Sequence, residues 1–153
     1  MRPVVPLTVV LAKATRGNPF NTLVLKAISG ERKSISVFGT DYDTPDGTCI
    51  RDYIHVEDLA LAHRLAVEKL QDYSGCINLG TGVGTSVKEI ISAAEEIRGK
   101  KCPIEYGARR AGDPARLFAD NRKAEEILGW QPKYTNIKDI IQTAWNWEIN
   151  RRF

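Results

Sequence analysis

The stretch NLGTGVGTSVKEII, residues 78–91, limits the fold of this chain more than any other segment. Three glycines follow a short apolar run and precede residues with helical spacing, so the segment joins a strand to a helix through a tight turn. A strand–turn–helix unit of this kind is typical of α/β domains. Two interpretations of the turn are open: a loop that grips the phosphates of a dinucleotide, or a turn that binds no ligand.

The spacing of the glycines favours the second interpretation. A dinucleotide fingerprint requires G-x-G-x-x-G between strand and helix, with an acidic residue about 20 positions further on. Gly80 and Gly82 fit, but the third glycine stands at position 84, one residue early. Residues 90–98 have helical spacing, so no second strand ends in the expected carboxylate. The SVKE sequence at 86–89 is a capping-box pattern, which predicts that a helix begins directly after the turn.

Strand and helix patterns alternate loosely along the rest of the chain. Apolar residues at helical spacing predict helices, and short β-rich runs between turn residues predict strands. Asp120 and Asn136 are the predicted N-caps of the last two helices. The predicted fold class is therefore mixed α/β with few short strands. The predicted helices lie near 23–29, 59–70, 87–98, 121–128 and 137–145, and the predicted strands at 34–39, 49–56, 75–79 and 103–106.

Composition excludes several classes of function. The formal net charge of +3 is spread along 153 residues, so it does not call for a nucleic-acid partner. Three widely spaced cysteines and two histidines without a ligand pattern predict free thiols, a reducing compartment and no metal site. The apolar run at 4–12 is too short to span a membrane and is a weak signal peptide at most. These features favour a cytoplasmic protein without a membrane partner.

Four motifs in one order carry a resemblance to a known family. They are VFGTDYDTPDGTCIRDYIHVEDLALAH, INLGTGVGTSVKEI, RRAGDPARLFAD and LGWQP. In this order they resemble the C-terminal half of the UDP-glucose 4-epimerases, which are NAD-dependent enzymes of the extended short-chain dehydrogenase type. The resemblance runs from about Leu23 to Phe153. It implies a UDP-sugar-binding C-terminal lobe at 21–153 without the Rossmann domain, preceded by a divergent or non-native leader at 1–20.

The resemblance also implies a set of substrate-binding residues. Arg51 and Arg110 are expected to grip the pyrophosphate of UDP-glucose or UDP-galactose, and Asp113 to hold the ribose. Phe38 is expected beside the uridine. Leu117 falls at a gate that helps to set how bulky a sugar can enter, and an aliphatic side chain there leaves N-acetylated sugars undecided. The chemistry agrees, because an arginine fork binds two phosphate oxygens with fixed geometry.

The residues alone leave other interpretations open. Arg51 could pair with Asp52 or Asp58 at the surface, and the two adjacent arginines at 109–110 could form a solvated basic turn. Phe38 could belong to the core. His55 is expected to be a buried, hydrogen-bonded histidine rather than a catalytic base.

The parts of the family that carry chemistry are not found in these 153 residues. The resemblance implies an NAD-binding glycine fingerprint and a Tyr-x-x-x-Lys pair in the other half of the enzyme. Tyr134 and Lys138 have that spacing but straddle the predicted start of the last helix. We therefore expect no NAD to bind this chain alone, no catalytic residue within it and no epimerase activity without a chain that supplies a cofactor domain. The alternative is a non-catalytic module that binds a UDP-sugar or another protein through an exposed apolar face.

Overall fold

Five helices and seven short strands make up the mixed α/β fold in the described part of the computed structural model, which comprises the backbone of residues 8–10 and the whole of residues 20–150. The predicted fold class is confirmed. The strands are β1 (Thr8–Val10), β2 (Ile35–Phe38), β3 (Ile50–Arg51), β4 (Cys76–Asn78), β5 (Thr85–Ser86), β6 (Ile104–Gly107) and β7 (Arg116–Leu117). The helices are α1 (Phe20–Ser29), α2 (Val56–Glu68), α3 (Val87–Arg98), α4 (Arg122–Leu128) and α5 (Ile137–Ile149).

The chain divides into two compact units, each built from separate stretches of sequence. The described residues of the first unit are 8–10, 52–83 and 118–135, and those of the second are 20–51, 84–117 and 136–150.

The first unit packs its apolar residues around a tryptophan. Strands β1 and β4 pair in parallel, and helices α2 and α4 contact each other. Trp130 is fully buried, and its indole Nε1 donates to the backbone oxygen of Asp58 at 2.9 Å. A buried indole N–H needs such a partner, so this bond avoids the desolvation penalty of an unpaired donor in the core. The other buried members of the cluster are Ala62, Ala66, Ile77, Leu79, Ala124 and Leu128.

The second unit holds two small sheets and three helices. Strands β2 and β6 pair in parallel, and β3 lies between β5 and β7. Helix α3 contacts both α1 and α5. It begins at the predicted capping box, since Ser86 accepts from the Glu89 N–H at 3.1 Å and Glu89 accepts from the Ser86 N–H at 2.6 Å. Gly99 ends α3 with a φ of 60°.

Most predicted elements are found, and the differences have local causes. The strand predicted at 49–56 is reduced to β3, because Asp52 binds the backbone of other segments and His55 caps α2. Asp120 is not the N-cap of α4: the cap position is Asn121, and Asp120 instead accepts from the N–H of Arg122 at 3.0 Å. Strands β5 and β7 are not marked in the sequence, since two residues carry no periodic pattern.

The predicted leader lies mostly outside the described residues. Within 1–20 the structure describes the backbone strand β1 and Phe20, where α1 begins. In the part of the chain that the structure describes, no helix has the length and apolar character to cross a bilayer.

Candidate substrate-binding site

The five sequence-predicted binding residues all lie in the second unit. Phe38 is the last residue of β2, Arg51 ends β3, Leu117 ends β7, and Arg110 and Asp113 lie in the loop between β6 and β7. A series of contacts, described below, links each of the five to another. We refer to these residues as the five-residue site.

Arg51 pairs with Asp113. Its Nη2 donates to the Asp113 Oδ1 at 3.3 Å, and its Nη1 donates to the backbone oxygen of Ile50 at 2.8 Å. The partners that the sequence offered as alternatives are engaged elsewhere in the first unit. Asp52 accepts from the N–H groups of Thr81 and Ala119, and Asp58 accepts from two backbone N–H groups of its own unit.

A glycine turn fixes Arg110 relative to Asp113. The Asp113 N–H donates to the backbone oxygen of Arg110 at 3.2 Å, and Gly112, at the third position of this turn, has a φ of 79°. A positive φ at this position is the signature of a type II turn, which favours glycine there. The sequence RAGD therefore places an arginine and a carboxylate on one short turn.

Arg110 lies over the ring of Phe38, with its guanidinium carbon 3.9 Å from the ring centroid. Gly107 faces Phe38 across the β2–β6 pair, and a Cβ at this position would come within 3.2 Å of the ring. The missing side chain at 107 therefore leaves room for the ring. Phe38 is 36% exposed, so it presents a surface rather than belonging to the core.

Arg109 has a different partner from its neighbour. Its Nε donates to Asp41 at 2.8 Å and its guanidinium lies 4.2 Å from the ring centroid of Tyr42. Gly39, with a φ of 80°, permits this packing, because a Cβ there would come within 2.7 Å of the Arg109 Cγ. The two adjacent arginines therefore have different partners: Arg109 binds Asp41, and Arg110 lies over Phe38.

Leu117 stands beside Arg51 in the sheet. The two residues are register partners in the parallel pair of β3 and β7, and the Leu117 side chain is 58% exposed. An exposed apolar side chain next to a guanidinium suits a position that a ligand would contact.

The proximity of Cys49, which precedes β3, to the five-residue site was not predicted from the sequence. Burial raises the pKa of its thiol; the positive charges of Arg51 and Arg110 oppose this rise, whereas the Asp113 carboxylate adds to it. The thiol therefore lies within electrostatic reach of all three charged members of the five-residue site. No sequence pattern marks Cys49, because two of these charged groups, Arg110 and Asp113, come from a distant loop.

The glycine turn at 80–83 is engaged by protein groups. The Thr81 N–H donates to Asp52 Oδ1 at 3.0 Å, and a Cβ on Gly80 would come within 2.5 Å of Asp52 Oδ2 and 2.9 Å of the Ala119 backbone oxygen. A phosphate loop needs free N–H groups and an open approach. This turn offers a carboxylate instead, so its residues do not fit the pyrophosphate of NAD.

The other candidate residues are also engaged. The Tyr134 hydroxyl donates to Glu57 at 2.9 Å, and Lys138 donates to Glu96 at 2.8 Å. His55 is 6% exposed, and its Nδ1 accepts from the Glu57 N–H at 3.1 Å as the N-cap of α2. The expectation of a buried, hydrogen-bonded histidine is confirmed. Among residues 20–150, no three His, Cys, Asp or Glu side chains are arranged to hold a metal ion.

Comparison with known proteins identifies a family. The model of the family described as GDP-mannose 4,6 dehydratase matches residues 15–144. The chain is 50% identical over 127 residues to a UDP-glucose 4-epimerase of Halalkalibacterium halodurans, covering 82% of this chain and 38% of that protein. The chain therefore spans about two fifths of the length of such relatives.

Two solved structures share the fold at high sequence identity. A crystal structure of a UDP-glucose 4-epimerase is 52% identical with a TM-score of 0.84, over 88% of this chain and 42% of that one. The enzyme from Bifidobacterium longum, solved in complex with NAD+ and UDP, is 43% identical with a TM-score of 0.79, over 89% and 41% of the two chains. The resemblance inferred from the motifs is confirmed: it corresponds to the C-terminal part of the epimerase fold.

Proposed function

Because the chain belongs to the GDP-mannose 4,6-dehydratase family, we propose that its second unit binds the diphosphate of a UDP-sugar, and that residues 21–153 act as the substrate-binding part of a UDP-glucose 4-epimerase. Such an enzyme interconverts UDP-glucose and UDP-galactose, a reaction of galactose metabolism, through NAD-mediated oxidation and reduction at C4. The names of the family and of the relatives share one chemical feature, a sugar linked to a nucleoside diphosphate.

One observation carries the proposal: the second unit brings two arginines, a carboxylate and an aromatic ring into one connected set. Two guanidinium groups supply forked donors for a diphosphate, which spreads its charge over several oxygens. The Asp113 carboxylate accepts from the ribose hydroxyls. Phe38 offers an apolar face for the base. Leu117 is assigned to the side of the site that the sugar approaches.

Calorimetric titration with UDP tests this assignment. We expect UDP to bind the unaltered chain saturably. In Arg51→Ala and in Arg110→Ala the Kd for UDP should rise by about tenfold or more, since each substitution removes charge-assisted hydrogen bonds to phosphate. Arg109→Ala is the matched control. It removes an adjacent arginine that holds Asp41 and Tyr42, and it should leave the Kd for UDP unchanged. Absence of binding to the unaltered chain, or equal losses in all three variants, would overturn the proposal.

The chain alone is proposed to be catalytically inactive. Its glycine turn does not fit a dinucleotide phosphate, and its one Tyr-x-x-x-Lys spacing joins two residues that are each hydrogen-bonded to a glutamate. Purified chain incubated with NAD and UDP-galactose should form no UDP-glucose. Formation of UDP-glucose above a no-protein blank would refute inactivity and leave the binding assignment standing.

Adding a chain that carries a cofactor domain distinguishes the two interpretations, a substrate-binding half-enzyme and a non-catalytic module. Activity restored by adding the N-terminal part of a related epimerase would support a substrate-binding half-enzyme. UDP binding without restored activity would favour a binding module. In that case the exposed apolar side chains of the second unit, Tyr106 and Trp147 among them, become candidates for a protein contact.

A further inference from the structure

The two charged groups that the proposed function assigns to different parts of one ligand are bound to each other. Arg51 and Asp113 form an ion pair at 3.3 Å, with side chains 21% and 38% exposed. A ligand that reaches Arg51 therefore meets a guanidinium whose charge is already partly neutralised. The affinity of a ligand therefore depends on two exchanges. One of its groups has to replace Asp113 as the partner of Arg51, and another has to replace Arg51 as the partner of Asp113.

We propose that Asp113 is an internal competitor for Arg51, which makes the site discriminate nucleoside diphosphates from bare inorganic anions. This inference rests on the proposed function. A phosphate oxygen that binds Arg51 has to displace the Asp113 carboxylate or lie beside it. Displacement leaves the carboxylate without its partner, and a phosphate beside it brings like charges together, so each outcome opposes binding of an anion.

A nucleoside diphosphate repays this cost, whereas pyrophosphate cannot. The ribose of a nucleotide carries two hydroxyl groups that can donate to Asp113 when Arg51 turns to the phosphates. Pyrophosphate has charged oxygens for Arg51 but no ribose hydroxyls for the carboxylate. The difference in affinity between the two ligands therefore depends on Asp113, and not only on contacts to the base.

The structure keeps the competitor in place. The Asp113 N–H donates to the backbone oxygen of Arg110 in the turn at Gly112, so the backbone that carries the carboxylate is fixed by the turn. On the other side, the backbone oxygen of Ile50 holds a second nitrogen of Arg51. A ligand does not have to break either of these two bonds to a backbone oxygen.

Titration of the 153-residue chain with sodium pyrophosphate and with UDP, at one fixed ionic strength and without divalent cations, tests the inference. For Asp113→Asn we expect pyrophosphate to bind about twofold to fivefold more tightly, which is the range that a partly exposed ion pair contributes. UDP should bind about tenfold more weakly, because its ribose loses a charged acceptor. The two ligands therefore change in opposite directions.

Two further variants keep the test decisive. Asp113→Ala removes the carboxylate without adding an amide donor, so tighter pyrophosphate binding in this variant cannot come from a new hydrogen bond. Asp41→Asn removes a carboxylate that pairs with Arg109 in the same unit, and it should change neither affinity. Pyrophosphate affinity that falls or stays constant in both Asp113 variants would overturn the inference while UDP binding to the unaltered chain still supports the proposed function. No UDP binding to the unaltered chain would overturn both.

Discussion

Asp46 connects the turn after β2 to the start of α3. Its Oδ1 accepts from the N–H and hydroxyl of Thr48 at 2.8 and 2.7 Å, and its Oδ2 accepts from the Ser86 hydroxyl. Thr48 is fully buried and Ser86 nearly so. Burial opposes ionisation of Asp46, but these bonds and the charge of Lys88 together hold its pKa below the ordinary value of 3.8.

Replacement of Asp46 should change stability in a pH-dependent way. Because the pKa is lower in the folded chain, its stabilising contribution is full above 3.8 and is lost as the pH falls through the folded value. Asp46→Asn should lower the free energy of unfolding at pH 7 by about 1–3 kcal/mol and have a smaller effect in acid. Urea unfolding at several pH values measures both. Asp43→Asn, at an exposed position of the same loop, is the control. An equal loss at all pH values would contradict the prediction.

Cys49 should report the charge of the five-residue site. Asp113 helps to raise the pKa of this thiol and Arg51 opposes the rise. In a Cys76→Ser background, Asp113→Asn should therefore speed alkylation of Cys49 by iodoacetamide at pH 8, and Arg51→Ala should slow it, because the thiolate is the nucleophile. Peptide mass spectrometry measures the rate at each cysteine. Cys102, whose pKa burial raises to about 11, should stay slow in both variants. Changes of the same sign at Cys49 in both variants would contradict the electrostatic explanation.

At the scale of elements, the turn after β4 requires a residue without a side chain at Gly80, because Asp52 and Ala119 lie close to it. Gly80 has no positive φ, so an alanine there meets no backbone strain. Its difficulty is contact with the Asp52 carboxylate and the Ala119 backbone oxygen. Asp52 in turn organises the loop, because it accepts from both the N–H and the hydroxyl of Thr81.

Gly80→Ala should destabilise the chain through this contact alone. We expect a loss of about 1–3 kcal/mol, which is typical of overpacking, in chemical denaturation followed by tryptophan fluorescence. Gly99→Ala is the comparison, because that glycine has open space around it and a φ of 60°, so its cost of about 1 kcal/mol is conformational. Shortening Asp52 to serine should reduce the cost of Gly80→Ala and leave that of Gly99→Ala unchanged. If it does not, the contact with the Asp52 carboxylate is not the cause.

At the scale of the whole molecule, the two units divide the features of the chain between them. All five assigned binding residues belong to the second unit, and the glycine turn belongs to the first. The chain spans about two fifths of the length of its epimerase relatives. The activity of the complete relatives is therefore a proposal for this chain.

This division predicts UDP binding without NAD binding. NADH fluorescence should stay unchanged on addition of the chain at concentrations that saturate UDP, because the Gly80–Gly82 turn offers a carboxylate where a pyrophosphate would need free N–H groups. The B. longum enzyme, which was solved with NAD+ and UDP, is a suitable positive control. Saturable NADH binding to the unaltered chain would contradict the prediction.

Local signals in the sequence determined much of the fold. The C-terminal end of α1 and both bounds of α3 followed from apolar spacing, the SVKE capping box and the terminal glycines, because caps and periodicity act over a few residues. The short strands β5 and β7 could not be predicted in this way, since their partners in the sheet come from distant segments. The order of four motifs was enough for the family resemblance.

Only the tertiary structure decided how the side chains of the site are partnered. Arg109 and Arg110 are chemically identical neighbours, and packing pairs the first with Asp41 and places the second over the ring of Phe38. Arg51 could have paired with a nearby aspartate in the sequence, yet its partner is Asp113, 62 positions away. The physical reason is common to both cases: the sequence determines which charges exist, whereas the pairing of charges depends on distances that only packing sets.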